Sequence, residues 1–186
     1  MVDSNTSACL PGFVGQLPHL DGNFEILEVE PGEGSKSIEV AAGLWSVLLE
    51  YGADRNSLII NVGGGVVLDL GGFVASTFKR GIPFINVPTS LLAMVDASLG
   101  GKTGINHEGI KNQVGTFTSA ELVLIDDAFL STLPEEEWRS GHGEMIKHSL
   151  LSGQNWPQVL KLTHQTLNDV HLKQSVDTKL AIVQSD

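Results

Sequence analysis

The feature that most constrains this sequence is a run of three glycines, residues 63–65, set between two apolar segments. Residues 57–62 form a short apolar run before the glycines, and residues 66–80 form a longer run after them, which is typical of a buried helix. Another apolar strand pattern follows at residues 83–87. A strand, a glycine turn, a helix and a second strand form a βαβ unit, which requires a parallel sheet with a right-handed crossover. The sequence therefore predicts an α/β fold.

Up to Leu133, the segments on either side of this unit keep the alternation of strand and helix patterns. Beyond Leu133 the pattern is helical only. We expect a loop with one short helix over residues 1–23, a strand at 24–29, a turn at 31–34, a helix over 37–52 and another strand at 122–125. After Leu133, Pro134 and three glutamates are typical of a helix N-terminus. The rest of the chain has a helical pattern with a break near Gly153. We therefore predict an α/β domain over 1–133 and the start of an all-α domain over 134–186.

Composition narrows the classes of partner. The 186 residues include 22 acidic and 11 basic side chains, a net charge of −11, so neither nucleic acid nor an anionic membrane surface is an expected partner. Cys9 is the only cysteine, which excludes an intramolecular disulfide and a thiolate metal cage. No apolar run is long enough to span a bilayer. We therefore expect a soluble, cytoplasmic protein.

The glycine run has two readings. Glycines between a strand and a helix allow a phosphate group to approach backbone N–H groups, and they also make a tight turn where packing requires small residues. Leu68 occupies the position at which the usual dinucleotide-binding motif has its third glycine, so that motif is not met. Asp69 follows inside an apolar helical run, where an unpaired carboxylate would be costly. We therefore expect Asp69 to have a specific partner or ligand.

Residues 88–104 carry the densest polar signal. Hydroxyls, Asp96, paired glycines and Lys102 follow directly on a strand, which is where open α/β sheets place their ligands. Lys111 and Asn112 then add donors on what reads as a glycine-rich loop. Each lysine taken alone is typical of a solvated surface, whereas the combination favours an anion or polyol site.

A third candidate lies in the predicted helix after Pro134. Glu144, Lys147 and His148 are spaced i, i+3 and i+4 and so share one helix face. Glu144 and His148 have the chemistry of zinc ligands, but the spacing is not that of His-Glu-x-x-His and no third ligand is nearby. Periodicity alone therefore favours a surface salt-bridge face over a metal site.

Six separate segments, in this order and spacing, closely resemble the 3-dehydroquinate synthase family. They are residues 63–75, 79–81, 87–96, 100–107, 111–112 and 143–147, and the resemblance extends over residues 3–186. It implies a Rossmann-like nucleotide-binding domain with a parallel sheet, followed by an all-α metal-binding domain. It also implies an enzyme of the shikimate pathway, which supplies aromatic amino acid biosynthesis.

The implied reaction converts a small sugar phosphate, 3-deoxy-D-arabino-heptulosonate 7-phosphate, into 3-dehydroquinate and phosphate, with NAD and Zn²⁺ or Co²⁺ as cofactors. In the family, NAD oxidises the C4 hydroxyl and later returns the hydride, phosphate is eliminated, and an intramolecular aldol reaction closes the ring. The C4 ketone acidifies the C5 proton, and the metal holds the neighbouring oxygens. A homodimer is the usual assembly of the full-length family members.

Carried over position by position, the resemblance implies one set of residues for each task. The cofactor-binding residues would be Asp3, Asn5, Gly32, Glu33, Lys36, Gly65, Val66, Val67, Leu68, Asp69, Thr89, Ser90, Lys102, Lys111, Phe129, Leu130, Ser131 and Thr132. The substrate-contacting or catalytic residues would be Arg80, Asp96, Lys102, Asn112, Lys147 and Lys179. Glu144 would be the carboxylate metal ligand, and His148 matches no ligand of the family.

The family pattern also contains elements that this sequence lacks. The family has two further histidine metal ligands beyond the element that is here residues 179–186, and it has additional strands before residue 2. We therefore expect an internal fragment of a two-domain enzyme, inactive by itself because one carboxylate cannot replace a three-ligand site. The alternatives for the parent protein are another sugar-phosphate cyclase or a metal-dependent polyol dehydrogenase of the glycerol type.

Overall fold

The structure, a computed structural model, describes residues 1–15, 24–153 and 156–185. Part of the predicted N-terminal loop, residues 16–23, and the last predicted helical residue, Asp186, lie outside the described residues. The strands are β1 (Val2–Asp3), β2 (Glu28–Val29), β3 (Ile59–Gly63), β4 (Phe84–Pro88), β5 (Lys102–His107), β6 (Ile110–Phe117) and β7 (Leu122–Val123). The helices are α1 (Leu10–Val14), α2 (Ile38–Glu50), α3 (Gly65–Thr77), α4 (Glu135–Ser152), α5 (Trp156–Val159) and α6 (Asp169–Ser185).

The predicted parallel sheet is present. β3, β4 and β7 pair in parallel, with Gly63 opposite Pro88 at the carboxyl ends of the first two strands. β1 pairs in parallel with β2, and the backbone of Met1 bonds to that of Ile60 and Val62, which places β1 beside β3. The carboxyl ends of these strands therefore share one edge, as expected for an α/β fold.

Helix α3 lies directly on the sheet. Its residues from Val67 to Ala75 are buried with the exception of Asp69, and a Cβ added at Gly71 would lie 1.9 Å from the amide oxygen of Asn61 on β3. Only glycine at position 71 lets the helix backbone approach the strand so closely. The sheet and α3 therefore act as one rigid support for the loop that joins them.

Three local predictions are wrong. Only Glu28–Val29 of the predicted strand 24–29 is in a strand, and residues 160–168 of the predicted helical region are not helical. The glycine-rich loop predicted to carry Lys102 and Lys111 is an antiparallel hairpin of β5 and β6. Nearly every side chain of β6 is exposed, so it lacks the apolar alternation by which a half-buried strand is recognised.

Two large clusters of buried side chains form the interior. The first lies between α2, α3 and the β3–β4 sheet. The second joins α4, α5 and α6 to Leu91, Met94 and Val95, which follow β4 and are fully buried. The predicted boundary between residues 133 and 134 stays a prediction, but the second cluster draws side chains from both sides of it. None of the described helices is both long and apolar enough to cross a membrane.

Candidate functional site

The glycine loop opens the carboxyl edge of the sheet to a ligand. A Cβ added at Gly63 would lie 2.6 Å from Cβ of Val67, so packing alone explains that glycine. At Gly64 and Gly65 the nearest atoms are 3.6 and 3.4 Å away, which is ordinary contact. The first backbone bond into α3 runs from the N–H of Leu68 to the oxygen of Gly64. The N–H groups at the start of the helix therefore lack partners within it, an arrangement that favours an anion.

Other predicted cofactor residues surround the same edge. Asp3, at the end of β1, accepts hydrogen bonds from the backbone and hydroxyl of Thr6, and the Thr6 hydroxyl also lies 3.1 Å from the carbonyl of Val62. Thr89 follows β4, and its N–H donates to the carbonyl of Gly63 at 3.0 Å. The predicted segment 129–132 lies in a 3₁₀ helix, Asp127–Thr132, whose Phe129 packs on the apolar cluster that includes Val62. The structure thus brings these separate segments together, with Asn5 in the exposed turn after β1.

Lys36 supplies the partner that the sequence requires for Asp69. The Lys36 side chain is only 3% exposed, and its ammonium donates to Asp69 at 2.7 Å and to the side-chain oxygen of Asn112 at 2.6 Å. Burial raises the pKa of the Asp69 carboxyl, and the hydrogen bond from Lys36 opposes that rise. Glu33, after a turn at Gly32 with φ of 92°, accepts a bond from Asn106 on β5. These contacts tie helix α3 and the hairpin to one loop.

A π-helical turn, Ala93–Ala97, presents the acid of the polar segment. Its wide geometry is seen in the bond from the N–H of Ser98 to the oxygen of Ala93, five residues back. Such turns are frequent at functional sites. Asp96 extends from it and pairs with the ammonium of Lys179 on α6 at 2.5 Å. Sequence periodicity contains no sign of this turn.

The hairpin, the π-helical turn and α6 line a cavity of about 440 Å³ that is open to solvent. Five predicted site residues line it, and together they offer both carboxylates and cationic or amide donors. They are Asp69, Asp96, Lys102, Asn112 and Lys179. Mixed donors and acceptors of this kind suit a polyol that also carries an anionic group.

Glu144 on α4 accepts two contacts on one oxygen. Its Oε1 lies 2.7 Å from the ammonium of Lys147 and 3.2 Å from Nε2 of His148. The hydrogen bond to Glu144 raises the pKa of Lys147, and burial lowers the pKa of His148. The predicted salt bridge is therefore present, but the prediction of a surface face is wrong for His148, whose side chain is 2% exposed.

Three side chains converge where α4 meets the π-helical turn. One ligand atom each from Asp96, Glu144 and His148 lies within 4.8 Å of the other two. Two carboxylates and an imidazole are a donor set that suits a divalent transition metal. The residues present therefore fit the metal that the resemblance implies, with Glu144 as the predicted ligand among them.

Arg80, like Lys147, is a predicted substrate-contacting or catalytic residue that does not line this cavity. It follows the C-terminal end of α3, a helix of 13 residues whose length of about 20 Å separates it from Gly65. Lys111 and Lys147 are exposed, with side chains 70% and 59% accessible, and their ammonium groups lie near Glu33 and Glu144, respectively.

Sequence reasoning missed Ser175 on α6, whose hydroxyl forms a hydrogen bond with the ring of His148. Nothing in the local pattern marks it, because the two residues are 27 positions apart.

An α/β fold with a glycine loop at its sheet edge, joined to a helical region bearing a carboxylate and imidazole cluster, defines a nucleotide- and metal-binding class of protein. A family model described as "3-dehydroquinate synthase N-terminal" matches residues 26–140. The chain belongs to the 3-dehydroquinate synthase family.

Individual relatives agree with this assignment. The 3-dehydroquinate synthase of Parabacteroides distasonis is 44% identical over 192 residues, which cover 100% of this chain and 54% of that protein. A solved 2-epi-5-epi-valiolone synthase from Streptomyces hygroscopicus, with NAD⁺ and Zn²⁺ bound, has a TM-score of 0.81 and 27% identity, covering 99% of this chain and 54% of that one. A 2-deoxy-scyllo-inosose synthase complexed with carbaglucose-6-phosphate, NAD⁺ and Co²⁺ has a TM-score of 0.82 and 26% identity, covering 98% and 52%. The chain spans about half the length of the relatives described here.

Proposed function

We propose that this chain supplies the nucleotide-binding and substrate-binding residues of a 3-dehydroquinate synthase, which converts 3-deoxy-D-arabino-heptulosonate 7-phosphate into 3-dehydroquinate and phosphate. The observation that carries the proposal is the cavity in which five of the predicted site residues meet. It lies between Asp69 of the glycine-loop helix and Asp96 of the carboxylate and imidazole cluster. Cofactor, substrate and metal would thus be adjacent.

The residues of the glycine edge would hold NAD, and Glu144 would hold the divalent metal. When bound, NAD accepts and returns a hydride while Zn²⁺ or Co²⁺ polarises substrate oxygens. The free N–H groups at the start of α3 would bind the pyrophosphate. The buried pair of Lys36 and Asp69 would keep the helix and the hairpin in register around the cofactor.

The cavity residues would bind and orient the substrate. Lys102 and Lys179 offer positive charge for its anionic groups, and Asn112 offers an amide donor. The Asp96 carboxylate accepts hydrogen bonds only, so it would orient a substrate hydroxyl. Its ion pair with Lys179 holds it at the cavity wall.

Binding to the purified chain tests the proposal. In isothermal titration with NAD and Zn²⁺ present, we expect the sugar phosphate to bind and Lys102→Met to weaken it at least tenfold. Lys161→Met, on an exposed lysine outside the cavity, is the matched control and should leave affinity unchanged. Equal affinities of the two variants, or no binding to the unchanged chain, would overturn the proposal.

A second candidate is another sugar-phosphate cyclase, which the likeness to the valiolone and inosose synthases favours. A competition binding experiment with the two sugar phosphates distinguishes the two candidate functions. Tighter binding of carbaglucose-6-phosphate than of the heptulosonate phosphate would favour the second candidate. Net NADH formation from glycerol would instead favour the polyol dehydrogenase that the sequence leaves open.

We also propose that the protein works as a homodimer in the cytoplasm. Support for an interface comes from the outer edge of the hairpin, where Ile110 is 58% and Phe117 is 87% exposed. Apolar side chains on a strand edge favour pairing with another chain. Sedimentation velocity checks this, since a monomer at micromolar concentration would contradict it.

A further inference from the structure

A shift in the strand register of the hairpin places Asn106 beside Asn112. On either side of Asn106 the pairing of β5 with β6 changes register, which leaves residues 111–113 of β6 opposite this one residue. Such bulges interrupt the ladder of backbone hydrogen bonds and re-aim side chains, and they are frequent next to active sites. Asn112 has a φ of 56° and lines the cavity of the proposed function. The bulge therefore brings Asn106 next to a residue of the candidate site.

The side-chain amide of Asn106 is bonded at both ends. Its oxygen accepts from the backbone N–H of Asn112 at 3.0 Å, and its nitrogen donates to Oε2 of Glu33 at 2.9 Å and to the Glu33 carbonyl at 3.3 Å. The two ends cannot be exchanged, because a backbone N–H only donates and a carbonyl or ionised carboxylate oxygen only accepts. The backbone N–H of Asn106 donates to the carbonyl of Lys36 at 2.7 Å. Asn106 therefore joins Asn112 to the loop of residues 33–36.

The side chain of Asn112 is bonded at one end. Its oxygen accepts from the ammonium of Lys36 at 2.6 Å, whereas its amide nitrogen has no hydrogen-bond partner among the residues that the structure describes. That nitrogen carries two donors. Asn106 restrains the backbone of Asn112 and Lys36 restrains its side-chain oxygen, so both donors are held in one orientation. They are available to a polar ligand in the cavity.

The contacts of Asn106 act on conformation more than on stability. Asn112 is exposed and Asn106 is half-buried, so water competes for both hydrogen bonds and each contributes little to the stability of the fold. A positive φ at a residue other than glycine persists where the surrounding groups determine it. The bond from the Asn112 N–H to Asn106 is such a determinant.

We propose, on the basis that the cavity binds the sugar phosphate of the proposed function, that Asn106 is a positioning residue that acts through Asn112. It holds the backbone of Asn112 in the left-handed conformation in which the amide of Asn112 binds the substrate. Its bonds to Glu33 hold Asn106 in turn. Asn106 is not among the described residues that line the cavity, and the resemblance gives it no role, so the assignment rests on these contacts.

Substrate affinity tests this role. In isothermal titration with NAD and Zn²⁺ present, we expect Asn106→Ala to weaken binding of the heptulosonate phosphate about 3–10-fold, the usual net effect of one hydrogen bond. In a chain that already carries Asn112→Gly, which has no amide and accepts a positive φ, Asn106→Ala should have no further effect. Asn56→Ala is the matched control, because among the described residues the Asn56 side chain bonds only Asp54 in its own turn. It should leave the affinity unchanged.

Rescue by a conservative pair separates positioning from general damage to the hairpin. Asn106→Asp keeps an oxygen for the N–H of Asn112 but places a carboxylate against Glu33, and Glu33→Gln then supplies the missing donor. At saturating NAD, the double variant should bind the sugar phosphate within about threefold of the Glu33→Gln chain, because the hydrogen bonds on both sides of position 106 are restored. A loss in this double variant as large as in Asn106→Ala would overturn the proposal.

The N–H of Asn112 gives a readout that needs no ligand. Its hydrogen exchange, followed by nuclear magnetic resonance, should be about 3–10-fold faster in Asn106→Ala than in the unchanged chain, because the acceptor is lost. An unchanged exchange rate would overturn the role of Asn106, and so would equal losses of substrate affinity from Asn106→Ala with and without Asn112→Gly. Binding that Asn112→Gly weakens and Asn106→Ala does not would overturn this inference alone. No binding to the unchanged chain would overturn the proposed function, and this inference with it.

Discussion

At the scale of single residues, the pair of Lys36 and Asp69 is the most consequential contact outside the cluster on α4. Desolvating two charges is costly, and their attraction offsets that cost only while both partners are present. The network also holds Asn112 in a left-handed conformation with φ of 56° at the end of the lysine side chain. The role of the Lys36–Asp69 pair is therefore better explained by the positioning of its neighbours than by a gain in the stability of the fold.

We expect Asp69→Leu alone to lower the free energy of unfolding by about 3–5 kcal/mol, because it leaves the buried ammonium of Lys36 with neither the counter-charge nor the hydrogen-bond acceptor of Asp69. The double variant Lys36→Met, Asp69→Leu should be as stable as the unchanged chain or up to about 4 kcal/mol more stable. Urea unfolding followed by circular dichroism measures both. An Asp69→Leu chain with unchanged stability would contradict the buried ion pair.

The pH dependence of stability follows from the raised pKa of Asp69. Its pKa in the folded chain lies above the ordinary value of 3.8, so the folded state holds this proton more tightly than the unfolded state. The resulting stabilisation is fully present below pH 3.8 and is lost as pH rises through the raised pKa. The unfolding free energy of the unchanged chain should therefore fall across this window relative to that of the Lys36→Met, Asp69→Leu variant. Parallel profiles for the two proteins, measured in matched buffers, would contradict the raised pKa.

At the scale of elements, the position of Glu144 depends on how closely α4 approaches the π-helical turn. A Cβ added at Gly141 would lie 2.5 Å from the backbone nitrogen of Leu92 and 2.6 Å from the side chain of Leu91. A backbone atom at that distance cannot be relieved by a rotamer change. Glycine at position 141 is therefore what allows the helix to reach the turn.

We expect Gly141→Ala to destabilise the chain by roughly 1–3 kcal/mol, the usual range for overpacking, and to weaken metal binding because Glu144 lies one turn further along. Gly143→Ala is the matched control, because nothing lies within 4 Å of a Cβ added there. It should stabilise the helix by about 0.5–1 kcal/mol. Thermal unfolding and chelator competition measure the two effects, and a Gly141→Ala chain as stable as Gly143→Ala would rule out the close approach.

The elements predicted well from sequence are those with a clear apolar pattern or a helix-start signal. Helix α2 follows the 3.6-residue period, α3 is a continuous apolar run, α4 begins after Pro134 with three glutamates, and β3 and β4 are short apolar runs bounded by turns. The hairpin of β5 and β6 and the π-helical turn lack such a signal. The first is largely exposed on β6, and the second breaks the helical period.

The residues of the candidate site can also be divided into those that the sequence predicted and those that it did not. The resemblance identified Asp96, Lys102, Asn112 and Lys179, and these residues line one cavity although the first and the last are 83 positions apart in the sequence. It could not identify Ser175, because the bond to His148 exists only once α6 packs against α4. Motifs therefore predict which residue types meet, whereas tertiary packing decides which hydrogen bonds orient them.

At the scale of the whole molecule, the α/β and helical regions share an interior. Leu91, Met94 and Val95 belong to the segment that follows β4, yet they are buried in the second cluster against α4 and α6. Burying side chains of this size contributes roughly 1.5–3 kcal/mol each. The ion pair of Asp96 with Lys179 adds a polar contact between the same regions. Neither region therefore keeps its interior if the other unfolds.

We consequently expect one cooperative unfolding transition. Trp45 packs against the first cluster, 6.2 Å from the ring of Phe73, and Trp138 is buried in the second. Replacing Trp138 and Trp156 by Phe leaves Trp45 as the only fluorescent tryptophan, and replacing Trp45 and Trp156 leaves Trp138. The midpoint of each variant's fluorescence transition should coincide with that of its own far-ultraviolet circular dichroism, because loss of either cluster exposes the shared side chains. A Trp138 transition that precedes the circular dichroism transition of the same variant would mean that the helical region unfolds independently, and the shared interior would then contribute little to the stability of the chain.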